Sequence, residues 1–119
     1  MKKYCLTLDL KDDPQLIEEY KSYHENVWPE VIESIETSGI SSMEIYLLGN
    51  RLCMLVEVED TFSFQEKAEK DKANQKVQQW EELMWKYQQG LPLAQPGEKW
   101  MLMDKIFDLS EAREELPNQ

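Results

Sequence analysis

Gly49-Asn50 joins two β-rich runs that together span residues 41–58, and no other feature of this chain leaves so few structural alternatives. Glycine at the first central position suits a two-residue type II′ turn, whose twist matches that of the strands it connects. Such a turn fixes the pairing. Leu48 falls opposite Arg51, and counting back places Leu47, Ile45 and Met43 opposite Leu52, Met54 and Val56 on one face. Tyr46, Glu44 and Ser42 fall opposite Cys53, Leu55 and Glu57 on the other. The first face is wholly apolar and is expected beneath helices. The second is mixed, and its Tyr46, Leu48, Cys53 and Leu55 favour cover by a second sheet. Two copies meeting sheet to sheet, a homodimer, are therefore expected.

Periodicity gives the remaining elements. Residues 3–9 alternate Tyr4, Leu6 and Leu8 with Lys3, Cys5, Thr7 and Asp9, the period of a half-buried strand. Asp13-Pro14 supplies a cap and a proline suited to a first helical turn, after which Leu16, Tyr20, Tyr23, Val27, Val31 and Ile35 recur at helical spacing up to Ser38-Gly39. Pro29 interrupts this run; inside a helix it would clash with the carbonyl of Glu25 and cost about 3 kcal/mol. A kink, or a break into two shorter helices, is expected within a turn of His24. Between Thr61 and Gln89 a second helical region repeats Phe64 and Ala68, then Val77, Trp80, Met84 and Tyr87, with Asn74 as an internal cap and an end before Gly90. Pro92 and Pro96 break the next stretch, and Trp100 to Leu109 resumes with strand composition. The order β-α-β-β-α-β predicts an α+β, ferredoxin-like fold with a four-stranded antiparallel sheet. At 119 residues the chain suits one domain, 1–109, with a polar tail, 110–119, that forms at most a frayed helix.

With 24 acidic against 13 basic residues, the formal charge of −11 disfavours nucleic acid and anionic membranes as partners. No signal peptide or membrane span is evident, so a cytoplasmic protein is expected. Cys5 and Cys53, with a single histidine, cannot assemble a zinc site of familiar spacing; they read as buried, reduced thiols, and neither metal nor cofactor is expected.

That single histidine, His24, has Tyr20 four residues before it and Trp28 four after. On a continuous helix the three would line one face at about 6 Å per step. An imidazole between aromatic rings can exchange a proton near neutral pH beside a ligand that has both apolar and hydroxylated faces. Trp85, at similar spacing, reads as core.

The motif Tyr20-x-x-x-His24-x-x-x-Trp28-Pro29-Glu30 resembles the first-helix signature of the L-rhamnose mutarotase family. The likeness continues through Glu44-Ile45-Tyr46-Leu47, Met54-Leu-Val-Glu57-Val and Val77-Gln-Gln-Trp80, covering about residues 3 to 108. It implies a dimeric α/β barrel, no metal, and interconversion of the α and β pyranose anomers of a 6-deoxy-L-sugar. His24 matches the family's proton donor, Tyr20 its sugar-contacting tyrosine, and Trp80 the first of two adjacent tryptophans lining the pocket. The chain departs from the pattern twice, with Met43 in place of a tyrosine and Glu81 in place of the second tryptophan. Both changes bear on the substrate's hydroxyl pattern and make L-fucose a rival to L-rhamnose.

Opening a pyranose needs an acid at the ring oxygen and a base at the anomeric hydroxyl. His24 is the expected acid, while Tyr20, Glu81 and an ordered water are alternatives for the base. Trp28 and Trp80 are expected to stack on the sugar's C–H face. Two other classes compete: a ferredoxin-like module that only binds a small ligand or a protein, and a cofactor-light monooxygenase or haem-degrading enzyme of similar fold.

Overall fold

The computed structural model describes residues 1–115. Its elements run β1 (Lys2–Leu10), α1 (Pro14–Tyr23), α2 (Pro29–Thr37), β2 (Ile40–Leu48), β3 (Arg51–Val58), α3 (Phe64–Lys72), α4 (Gln75–Trp85), β4 (Gln88–Gln89), β5 (Met101–Leu102) and α5 (Leu109–Glu115). The sheet is antiparallel throughout, ordered β2-β3-β1-β4, with β5 also pairing to β1. This is the ferredoxin-like arrangement.

The hairpin has the expected register, with Leu48 opposite Arg51, Ile45 opposite Met54 and Met43 opposite Val56. Gly49 takes φ of 62°, while among the described residues no non-glycine has positive φ, as a type II′ turn requires. Leu52 and Val56 are buried on the apolar face, and Met43, Ile45, Leu47 and Met54 pack partly buried beside them. At roughly 1.5–3 kcal/mol for each fully buried aliphatic side chain, Leu8, Leu10, Leu52 and Val58 anchor the sheet to the helical layer.

Pro29 breaks the first helical region rather than kinking it. It stands at the first position of α2, where its missing N–H would be unpaired in any case, and Trp28 becomes the N-cap residue. Asp13 caps α1 by accepting from the amides of Gln15 and Leu16, Ser63 caps α3, and Asn74 caps α4 through Val77 N.

Four expectations are corrected. The strand expected over Trp100–Leu109 is reduced to Met101–Leu102, because after Met103 N donates to the Cys5 carbonyl the chain leaves the edge of β1 and Lys105 pairs instead with Asp108 and Glu111. Beyond it, Asp108 accepts from the amides of Ser110 and Glu111 and starts α5. The helix expected to reach Gln89 ends at Trp85, and Gln88–Gln89 instead pair with β1. Trp85 is not core: it is half-buried, with Lys99 Nζ 5.0 Å from its ring centre. Cys5 and Cys53 are free but only half-buried, their sulfurs 3.2 Å apart on the sheet face away from the helices. Desolvation, with the neighbouring thiol adding to it, raises Cys5 to about 11. Residues 116–119 of the expected polar tail lie outside the described residues. Among the described residues no helix is long and apolar enough to cross a membrane.

Candidate active site

The helices and the apolar sheet face enclose a cleft of about 660 Å³. Met43, Ile45, Met54 and Val56 form its floor, and its walls come from α1, α2, α3 and α4. Of the residues singled out from sequence, Tyr20, His24, Met43, Trp80 and Glu81 all line this space, although they come from three elements, α1 with its C-terminal end, β2 and α4. Trp28 does not line it. Its ring packs edge-on against Trp80, centroids 5.2 Å apart, and braces that side chain.

His24 is the residue that ends α1, not one in the middle of a helix, because the chain turns toward Pro29 directly after it. The one-face reading therefore holds from Tyr20 to His24, whose rings lie 4.4 Å apart, and fails for Trp28, which arrives through the turn. The His24 ring also meets Trp80 edge-on at 5.7 Å. Its Nδ1 lies 2.8 Å from the carbonyl oxygen of Tyr20. A carbonyl only accepts, so Nδ1 carries a proton and donates it there, which leaves Nε2 as the nitrogen that gains and loses a proton. The end of the helix thus fixes both the tautomer and the orientation of the ring.

Tyr20 is buried, and its hydroxyl accepts from Gln88 Nε2 at 3.2 Å. Burial pushes the phenol above its ordinary value, against a smaller lowering by Gln88, so Tyr20 stays protonated and retains a hydroxyl proton to donate. Glu81 is half-buried on α4, one turn from Gln78, whose Nε2 donates to Glu81 Oε2 at 3.3 Å and to the Asp71 carbonyl at 2.9 Å. The arrangement offers a proton-exchanging nitrogen, a phenol donor and a carboxylate in a largely apolar hollow.

Gln88 carries no signal in the sequence, where the run Gln88-Gln89 looks like a polar helix end; only the pairing with β1 buries it under Tyr20. Tyr23 also joins the aromatic corner, 6.3 Å from Trp80 and 5.8 Å from Tyr87. Its helical spacing marks it as apolar-facing but not as part of this corner.

The sequence profile described as L-rhamnose mutarotase matches residues 3–109. The chain belongs to the L-rhamnose mutarotase family. Among relatives of this family member, an L-fucose mutarotase of Xanthomonas campestris pv. campestris is 44% identical over 114 residues, 94% of this chain and 91% of the relative. An L-rhamnose mutarotase of Sinorhizobium fredii is 36% identical over 47 residues, covering 40% of this chain and 43% of the relative. The crystal structure of an L-rhamnose mutarotase from Formosa agariphila shares the fold with TM-score 0.68, at 19% identity, over 92% of this chain and 99% of that one. The fold extends to tetracenomycin F2 cyclase of Streptomyces glaucescens, with TM-score 0.59 at 14% identity over 91% and 98% of the two chains.

Proposed function

We propose that this mutarotase interconverts the α and β pyranose anomers of a 6-deoxy-L-hexose, with L-fucose preferred to L-rhamnose. The observation that carries the reading is His24, held by a backbone carbonyl at Nδ1 so that Nε2 serves a ring-lined cleft. In its protonated form the imidazole gives the Nε2 proton to the ring oxygen while a base takes the proton of the anomeric hydroxyl. The C1–O5 bond breaks, the free aldehyde turns about C1–C2, and closure on its other face returns both protons. Tyr20 is unsuited to be the base, since burial holds its phenol protonated, and it donates to a sugar hydroxyl instead. Glu81 is the base in our reading, because it is the carboxylate that α4 brings to the same cleft one residue from Trp80. Trp80 supplies the apolar wall for the C–H face of the sugar.

The preference for L-fucose draws on the 44% identity to an L-fucose mutarotase and on the two departures, Met43 in the cleft floor and Glu81 in its wall. Less aromatic surface and an added carboxylate suit a different disposition of hydroxyls. We also propose that two copies pair through the open sheet face, where Tyr46 is 54% and Leu48 is 85% exposed, and that the dimer works in the cytoplasm. Residues 1–109 then form the functional domain, with the rest as an appendage.

Exchange NMR with purified protein on L-fucose and L-rhamnose tests the reading. Acceleration of anomer exchange, greater for L-fucose, is the expected result. Saturable sugar binding without acceleration would make the protein a binding module instead.

A further inference from the structure

The cleft continues well past the His24 corner. At about 660 Å³ it falls mid-way in the range of clefts that hold ligands larger than a single hexose. Besides Glu36 and Lys99, the polar groups that line it away from the His24 corner are Ser34 of α2 and Lys67 and Asp71 of α3, which meet. Ser34 Oγ donates to Asp71 Oδ1 at 2.9 Å and Lys67 Nζ to Asp71 Oδ2 at 2.7 Å. The Lys67 and Asp71 side chains are only 18% and 13% exposed. Ser34 belongs to the second half of α2, away from the Trp28 end that packs on Trp80. Gln78 links the two regions, since the same Nε2 reaches Glu81 on one side and the backbone of Asp71 on the other.

We propose that this far region is a second sugar subsite, so that the ligand class extends to reducing disaccharides ending in a 6-deoxy-L-hexose. The proposal rests on the mutarotase reading of the His24 corner. Both Asp71 oxygens are already met, which leaves for a ligand two protons of Lys67 and the lone pairs of Ser34. Such a mixed donor and acceptor set suits neighbouring hydroxyls. An anion is a poor match, because Asp71 neutralises Lys67 and the whole chain carries −11. Lys67 and Asp71 stand four residues apart on α3, and drawing that pair this far out of water is costly where apolar side chains of similar volume serve as well or better. The second ring takes no part in the chemistry. At the reducing ring the C1–O5 bond breaks and re-forms, one proton goes onto the ring oxygen and one leaves the anomeric oxygen, and closure reverses both. The glycosidic bond stays intact and nothing is oxidised.

The experiment is exchange NMR on L-fucose and on its reducing disaccharides linked at O-2, O-3 and O-4, with wild type, Ser34→Ala and Lys67→Met. At least one linkage isomer is expected to be accelerated, with kcat/KM within about tenfold of L-fucose. Each substitution is expected to lower kcat/KM for that disaccharide about fivefold, the loss of one hydrogen bond of about 1 kcal/mol, and to leave L-fucose exchange within twofold. The proposal is overturned if L-fucose is accelerated and none of the disaccharides is, or if the substitutions slow both sugars alike, as a purely structural tie between α2 and α3 would require. If L-fucose itself is not accelerated, the mutarotase reading falls and this subsite with it. Should Lys67→Met not fold, Ser34→Ala and the wild-type linkage series decide the matter.

Discussion

Replacing Tyr20 with phenylalanine deletes one oxygen from the interior and isolates the Gln88 carboxamide beneath it. Tyr20 is 4% exposed and Gln88 is 7%, and their bond of 3.2 Å is the contact between α1 and β4 that the substitution removes. An unmet buried donor costs about 1–3 kcal/mol. With an unfolding entropy of about 2.1 cal/mol/K per residue, a chain of 119 residues changes by about 0.25 kcal/mol per degree, so Tm is expected to fall by about 4–12 °C. Gln88→Leu alone also destabilises, but Tyr20→Phe with Gln88→Leu replaces both polar partners by apolar ones and should recover most of the loss, giving a coupling of at least about 1 kcal/mol in the cycle. The pH profile carries a second signature. Burial raises the Tyr20 phenol, so the stability it confers is whole below the ordinary tyrosine value near 10 and is lost as pH rises from there through the raised value. Tyr20→Phe should therefore show a shallower alkaline decline than wild type. Thermal melts of the four proteins from pH 7 to 11 measure both effects. Additive single losses, or a Tm within 2 °C of wild type in Tyr20→Phe, would refute the buried pairing.

Met43→Tyr restores aromatic surface to the cleft floor and should shift the ratio of kcat/KM toward L-rhamnose by about 5- to 30-fold, the effect of roughly 1–2 kcal/mol of altered pocket contact, read by exchange NMR on both sugars. Leu55→Lys, on the open sheet face where the native side chain is 42% exposed, should convert a dimer to monomers in light scattering with the far-UV spectrum kept; an unchanged mass would place the interface elsewhere. Gly49→Ala meets no atom within 4 Å but forces an L side chain to φ of 62°, so a loss of about 1 kcal/mol, or about 4 °C in Tm, is expected from strain in the turn alone.

The features legible in the sequence are those that short-range chemistry determines. The Gly49-Asn50 pair sets the whole β2–β3 register because a two-residue turn leaves no freedom in the count, and a slip of one would turn Met43, Ile45 and Leu47 outward. Pro29 announces the break after α1 because no interior helical position tolerates it. Features decided at long range are not legible in this way. The last edge of the sheet is shared by two segments, Gln88–Gln89 at Asp9 and Leu10 and Met101–Leu102 at Leu6 and Thr7 of β1, and composition around either says nothing of the other. Gln88 becomes part of the site only through that pairing. The Ser34–Asp71 contact joins residues 37 apart that carry no shared pattern. Trp28 illustrates the middle case: its spacing from His24 is plain in the sequence, but the turn that Pro29 imposes sends its ring behind Trp80 rather than onto the cleft wall.

His24→Ala, assayed by exchange NMR on L-fucose, bears most directly on the proton shuttle at Nε2. General acid–base catalysis of this kind is worth about 10²- to 10⁴-fold, and a loss in that range is expected with the melting curve and the mass of the assembly unchanged. Exchange within about threefold of wild type in a folded His24→Ala protein would contradict the account.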